Sequence, residues 1–239
     1  MKSPAAVVLF SGGLDSTTAL YWSRQRFGSA AALTFSYDQS HEVETAAARR
    51  IAERLDVAWQ HLTLPLAGWV DSALVGDGEG IPESLADARD SRGIPRTYVP
   101  FRNGIFLSLA AAWAESREIP HLVTGFNRID TPDYPDTTKD FAARMEAALN
   151  AGTAASRRGW RFEIHLPLVE LTKKEIIAMG MSLGADYSLS VSCYRKGEVP
   201  CGRCPSCEVR FRAFAELGME DPLVTRLKKE GRYGLGIGG

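Results

Sequence analysis

The stretch VVLFSGGLDSTTAL, residues 7–20, constrains this chain more than any other. An apolar strand runs through Ser-Gly-Gly directly into a helix, so the turn itself determines what the strand end presents. Ser11, Gly12 and Gly13 can aim backbone N–H groups at an anion, with the positive end of the following helix behind them. Glycine pairs also occur in ordinary strand-to-helix turns, but further features set this one apart. Asp15 falls in the first helical turn, where the dipole favours it, yet it repels a phosphate unless a divalent cation lies between them. Ser16, Thr17 and Thr18 add hydroxyls able to donate to phosphate oxygens or to ligate that cation. With Phe10 and Leu14 completing it, the segment 10–18 reads as a magnesium-assisted phosphate cradle. It is neither the lysine-bearing G-x-x-x-x-G-K-[ST] loop nor G-x-G-x-x-G.

FSGGLDS resembles the SGGxDS signature of the PP-loop ATP pyrophosphatases, enzymes that split ATP into AMP and pyrophosphate. That resemblance implies ATP as a substrate and Mg2+ beside it. The rest of the chain alternates in the same way. Apolar strands are expected at 5–10, 31–37, 59–64, 121–126 and 161–166, and helices at 15–26, 42–55, 103–115, 139–149 and 173–183, the last capped by Thr172. Alternation of this kind gives an α/β fold with a parallel sheet covered by helices on both faces, in which ligands bind beyond the carboxyl ends of the strands. Residues 68–98, rich in Gly, Asp and Ser, break the pattern with a long loop, expected to be a mobile cover over the active site.

At 239 residues the chain suffices for one sizeable core, or one core with an appendage. Twenty-eight Lys and Arg against 29 Asp and Glu leave a net charge of −1, so no global field draws it to nucleic acid or to a membrane. No secretory pattern follows Lys2 and no run approaches the roughly 20 apolar residues of a membrane span, which makes the cytoplasm the expected location.

All four cysteines, Cys193, Cys201, Cys204 and Cys207, fall within fifteen residues as C-x7-C-x2-C-x2-C. Gly202 permits the turn between the first Cys-x2-Cys pair, and four sulfurs complete a tetrahedral shell with no open position, as in a structural zinc site. An iron–sulfur cluster is the alternative that the same ligand set allows. Free buried cysteines are the blander reading. Occupied by a metal, no cysteine is left to carry a persulfide or to act as a glutaminase nucleophile, which disfavours sulfur transfer and amidotransfer.

With the loop near one end and the cluster near the other, the chain is similar to the 7-cyano-7-deazaguanine synthase family. The likeness runs through FSGGLDSTT (10–18), LTFSYDQSHEVETAAARRIA (33–52), YVPFRNGIFLSLAAAWAE (98–115), VTGFN (123–127), PLVELTKKEI (167–176), and SCY followed by CGRCPSC. It implies a Rossmann-like fold of the adenine nucleotide alpha hydrolase type with a small four-cysteine zinc lobe, divided here at residues 1–185 and 186–239. It further implies conversion of 7-carboxy-7-deazaguanine, ammonia and ATP to the nitrile through an adenylated carboxylate and then an adenylated amide, in a homodimer. Asp15, Ser16, Arg102 and His41 are the expected catalytic residues, and Gln39, Arg102, Asn103, Tyr134 and Asp136 the expected substrate contacts. Without the likeness, Arg102 and Asn103 read equally well as a local ion pair and an N-cap, and Asp133 and Asp136 as a solvated loop.

Two departures bear on the substrate. Asp38 stands where the family often has glycine, and TPDYPDTT (131–138) stands where it often reads SGYPDCR. A ligase passing the activated carboxylate to a protein or peptide amine is therefore a second reading. A zinc-knuckle nucleic-acid module is a third, opposed by the neutral charge and by the lack of aromatic residues interleaved with a basic run.

Overall fold

The computed structural model describes residues 5–37, 42–75, 80–128, 133–195 and 197–233. Five parallel strands form one sheet in the order β3-β2-β1-β4-β5: β1 Ala6–Leu9, β2 Ala30–Ser36, β3 Ala58–Thr63, β4 His121–Val123 and β5 Glu163–His165. The helices are α1 Leu14–Phe27, α2 Glu42–Arg54, α3 Arg102–Glu115, α4 Lys139–Gly152, α5 Lys173–Ser182, α6 Pro205–Ala215 and α7 Pro222–Lys229.

Strand alternation sorts the core into two layers. Ala6 and Val8 of β1 and Ala30 and Ala32 of β2 face α1, α2, α5 and α6 through Leu20, Ile51, Ile176, Ile177 and Phe214. Val7, Leu33 and Phe35 face α3 and α4 through Leu107, Ala110, Ala111, Ala114 and Leu149. Both faces are covered, which explains the continuous apolar runs of β1 and β2. The alternating pattern is thus realised, with β4 and β5 shorter than the apolar stretches expected at 121–126 and 161–166.

The connection β1–α1–β2 departs to one side of β1, whereas β3–α3–β4 crosses back to its other side, so β1 is the switch point of the sheet. A crevice opens beyond the carboxyl end of the strand at such a point. The Ser-Gly-Gly turn occupies that position. The described residues of 68–98 carry no named strand or helix, and an isolated bridge joins Arg89 to Pro95. Among the described residues no helix is long and apolar enough to cross a membrane.

Part of the segment after 185 packs directly on the sheet. Tyr187, Ala213 and Phe214 belong to the same apolar layer as Ala6 and Val8. Helix α7, not foreseen from the sequence, begins where Asp221 accepts from Leu223 N (2.9 Å) and Pro222 occupies the first turn.

Candidate active site

The turn after β1 is knitted by its own hydroxyls. Ser16 Oγ accepts from Ser11 N (3.2 Å) and donates to Gly13 O (3.1 Å), and Ser11 Oγ accepts from Gly13 N (3.2 Å). Gly12 has φ +84°, and a Cβ there would stand 2.6 Å from Ala48 N and 2.8 Å from Glu44 O of α2. Both the backbone conformation and the closeness of α2 therefore require glycine. Phe10 keeps its side chain in the core, while its carbonyl accepts from Thr34 Oγ1 (2.6 Å) and so extends the strand toward the turn. The C-terminal segment closes the turn from behind: Val191 N donates to Gly12 O (3.1 Å), and Leu14 N donates to Ser192 Oγ (3.3 Å).

Two of the expected loop hydroxyls point elsewhere. Thr17 and Thr18 are fully buried and line no part of the cavity described below. The Thr18 hydroxyl bonds Leu14 O (3.1 Å) and Tyr187 OH (2.6 Å), because position 18 of α1 turns inward against Gly180 of α5 and the Tyr187 ring. Thr17 is buried with its hydroxyl unpartnered among the described residues.

Asp15 does face the cavity. Its carboxylate is clasped by Lys173 Nζ at 2.7 and 2.6 Å, and Asn127 Nδ2 donates to it at 3.3 Å. Lys173 is the first residue of α5, set there by Thr172, the N-cap expected from the sequence, which also forms a capping box with Glu175. Gly125, just after β4, lets the loop pass close to α1, since a Cβ would lie 3.2 Å from Ser16 N. Sequence reasoning missed Lys173 and Asn127 as individual residues, although both lie in stretches, PLVELTKKEI and VTGFN, that carried the family likeness.

Arg102 opens α3 opposite the loop. The preceding Phe101 is in the left-handed region at φ +52°, with its ring over Gly104, where a Cβ would meet it at 2.4 Å. Arg102 Nη1 donates to Tyr37 OH (2.9 Å). Burial alone lowers the Arg102 pKa, but Tyr37, Asp136 and Tyr134 outweigh it and hold the guanidinium firmly charged. Asn103 is buried and lines the cavity, but it is not the N-cap, a position that Phe101 takes. The cap comes from a distant segment: Asp136 Oδ2 accepts from Asn103 N at 2.8 Å. Asp136 is 4% exposed and lines no part of the cavity, so the expected direct substrate contact is corrected to support of α3. Tyr134 does line it, its hydroxyl bonded to Thr97 Oγ1 (2.8 Å), and Asp133 stands at the same wall paired with Arg89.

Glu44, on the first turn of α2, went unnoticed in the sequence. It lines the cavity, and burial pushes its carboxyl up to about 7 against the lowering influence of Arg102. Gln39 and His41 lie outside the described residues.

Together these groups line one cavity of about 380 Å³, with Ser11, Gly13, Asp15, Ser16 and Lys173 at one end. Arg102, Asn103, Tyr134 and Glu44 line it as well, and Phe35 and Phe106, stacked at 4.4 Å, give it an apolar side. Its size suits a small molecule and its nucleotide.

The four cysteines converge, their sulfurs all within 4.8 Å of one another. Cys201 Sγ lies 4.0 Å from Cys207 Sγ, and Cys201 and Cys193 accept from Cys204 N (3.3 Å) and Arg195 N (3.4 Å). Gly202 has φ +74°, the turn expected of it. Neighbouring thiols push the Cys193 and Cys207 thiols up and pull Cys204 down, so the set cannot ionise together without a cation. The spacing fits one four-coordinate metal.

A family model described as queuosine biosynthesis protein QueC matches residues 5–218. A relative from Psychrobacter cryohalolentis, named 7-cyano-7-deazaguanine synthase, is 40% identical over 231 residues, covering 92% of this chain and 89% of its own. One of the same name from Desulfatibacillum aliphaticivorans is 43% identical over 226 residues, covering 93% and 97%. Among solved structures, a 4-thiouridine synthetase–RNA complex with bound ATP has a TM-score of 0.51 at 19% identity, covering 97% of this chain and 54% of that one, a likeness of fold alone. By the extent of the family match and the identity of its relatives, this chain belongs to the queuosine biosynthesis protein QueC family.

Proposed function

We propose that this chain converts 7-carboxy-7-deazaguanine, ammonia and two ATP to 7-cyano-7-deazaguanine, two AMP and two pyrophosphates. The observation that carries the reading is the single cavity in which a phosphate-type turn with Asp15 and Lys173 faces Arg102, Asn103 and Tyr134.

A carboxylate oxygen is a poor leaving group. Attack by that oxygen on the α-phosphorus of ATP expels pyrophosphate and gives an acyl-adenylate. Ammonia then attacks the acyl carbon, and AMP departs with one of the original carboxylate oxygens, leaving the amide. The amide oxygen attacks a second ATP in the same way, and loss of AMP and a proton leaves the nitrile. The turn at 11–16 supplies N–H and hydroxyl donors to the departing pyrophosphate, and Lys173 supplies positive charge where charge accumulates. Asp15 holds Lys173 in place and suits magnesium, which takes one or two protein carboxylates and fills its remaining positions with phosphate oxygens and water. Bound there, magnesium neutralises charge on the leaving pyrophosphate. Arg102, fixed by Tyr37, holds the substrate carboxylate; Asn103 and Tyr134 contact the heterocycle against the wall of Phe35 and Phe106. Glu44 is positioned to take the proton that ammonium must lose before it attacks. The four cysteines hold a structural zinc, with residues 186–239 as the lobe it organises.

Mass spectrometry of a reaction containing the carboxylate, ammonium, ATP and magnesium tests this directly. Nitrile with about two AMP per product, as the double adenylation requires, supports the assignment. AMP without nitrile would point to another acceptor amine, and no AMP would overturn the adenylation reading.

A further inference from the structure

On the face of β4 and β5 that packs against α1, three potential ligands meet. The register of β4 and β5 places His121 directly opposite Glu163 and Val123 opposite His165. Glu163 and His165, two apart on a strand, therefore share the face that His121 presents. His121 Nδ1 and His165 Nε2 lie 3.1 Å apart, and Glu163 Oε2 lies 3.5 Å from the first and 3.6 Å from the second. None of the three side chains lines the cavity, although His165 is the last residue of β5 and its carbonyl accepts from Thr124 N (3.1 Å), a residue of the cavity wall.

These separations match a metal shell. A tetrahedral ion with bonds of 2.0–2.1 Å to nitrogen and oxygen has ligand–ligand edges of about 3.3–3.4 Å. The triangle formed here thus corresponds to three vertices of such a tetrahedron with the fourth left open. Its residues also suit the task. Phe27 of α1 stacks on His121 (4.5 Å, 19°) and meets His165 edge-on (5.2 Å), while Trp22 lies 6.0 Å from His165, so both imidazoles are held by packing. The His121 and His165 side chains are 25% and 22% exposed and that of Glu163 is 60% exposed, so an ion can reach them from solvent. Arg26 and Glu146, of opposite sign, are the other charges that act on His165.

We propose that His121, Glu163 and His165 form a second metal site, distinct from the four-cysteine cluster, that takes a divalent transition-metal ion of the zinc type and clamps β4 to β5. Two imidazoles with one carboxylate select borderline ions over magnesium or calcium. The open fourth position is filled by water, and because the ligands come from two paired strands and none lines the cavity, the role is one of holding the strand pair together.

The test is a zinc titration of the tag-free full-length protein already loaded with one equivalent of zinc, read by competition with a chromophoric chelator. A second equivalent is expected. His165→Asn and Glu163→Gln are each expected to weaken it by at least the 10–100-fold that loss of a mere outer-shell partner costs, leaving the first equivalent intact. His61→Asn, which alters a histidine bonded to Ser36 on β2, is expected to leave both equivalents unchanged. AMP formation by each variant verifies that it is folded. One equivalent only, or a second that survives both ligand substitutions or disappears with His61→Asn, would overturn the site and leave the histidines as a hydrogen-bonded pair.

Discussion

The Asp15–Lys173 contact joins the first turn of α1 to the first turn of α5, and it sets a cation beside the Ser-Gly-Gly turn, where the proposed reaction accumulates negative charge. Lys173→Ala should lower the rate of AMP formation by about 10²–10³-fold, the loss typical of removing one preorganised donor, while leaving the fold intact. Stopped assays at saturating ATP measure this. Glu44 provides a pH signature. Its carboxyl, pushed up to about 7 by burial, is protonated below that pH and anionic above it. Glu44→Gln should therefore remove an ionisation near neutrality from the pH profile of kcat/KM. Because its folded value lies above the free value of 4.5, the folded state retains the proton across the window from 4.5 to about 7. Stability accordingly falls as pH rises through that window, and the substitution should remove this slope. The two residues differ from Asp15 and Ser16 in how they could be found. Asp15 and Ser16 announce themselves by adjacency to the glycines, whereas Lys173 lies 158 positions from Asp15 and Glu44, though inside the stretch 33–52, carries no chemical signal that singles it out there. Only the crossing of elements at the switch point brings them together.

Helix α1 has two chemical faces within one turn, a division that residue type alone does not convey. Ser16 faces the turn, while Thr18 faces Tyr187, whose hydroxyl fills the space left by Gly180, where a Cβ would meet it at 1.8 Å. Thr18→Val should destabilise the protein by about 0.5–1.5 kcal/mol, the cost of a lost buried hydrogen bond, since the Tyr187 hydroxyl keeps Ile176 O as an acceptor (3.4 Å), without changing KM for ATP. Denaturant titration beside ATP kinetics separates the two effects. Helices whose ends are written locally were legible: Thr172 and Glu175 begin α5 as their spacing demands. Helix α3 was legible as an element, but its cap was not, because the capping carboxylate belongs to Asp136, 33 positions away. Asp221-Pro222 carries the same kind of local signal for α7, masked by the glycine-rich stretch that follows so closely.

Across the whole molecule, the segment bearing the cysteines contributes to the wall of the cavity and supplies a set of four convergent sulfurs that could hold a metal. Arg210 and Asp221, each 3% exposed, form a buried pair at 2.6 and 2.8 Å, and Arg210 also reaches Ser190 O and Ser192 Oγ, which in turn receives Leu14 N. Removal of the cysteine-bound metal should therefore abolish AMP formation together with structure. The Tm should fall by about 10 °C or more, given several kcal/mol from a structural zinc and 2–4 °C per kcal/mol for a chain of this size. Calorimetry with and without chelator, followed by zinc readdition, checks this. Glu198 binds the same region to α2 and α7. Burial raises its pKa, but hydrogen bonds from Arg226 and Arg232 and the charge of Arg50 prevail and bring it down to about 2. Its stabilisation is present above the free carboxyl value of 4.5 and is lost as pH falls toward 2. Glu198→Gln should thus cost about 2–3 kcal/mol at pH 7 and progressively less in acid, measured as the difference between the two unfolding curves. The most direct test of double adenylation at this cavity is the fate of oxygen from 7-carboxy-7-deazaguanine labelled with 18O in its carboxylate. One labelled oxygen in each AMP, and none in pyrophosphate, is the predicted result; unlabelled AMP, or label released as water, would contradict the account.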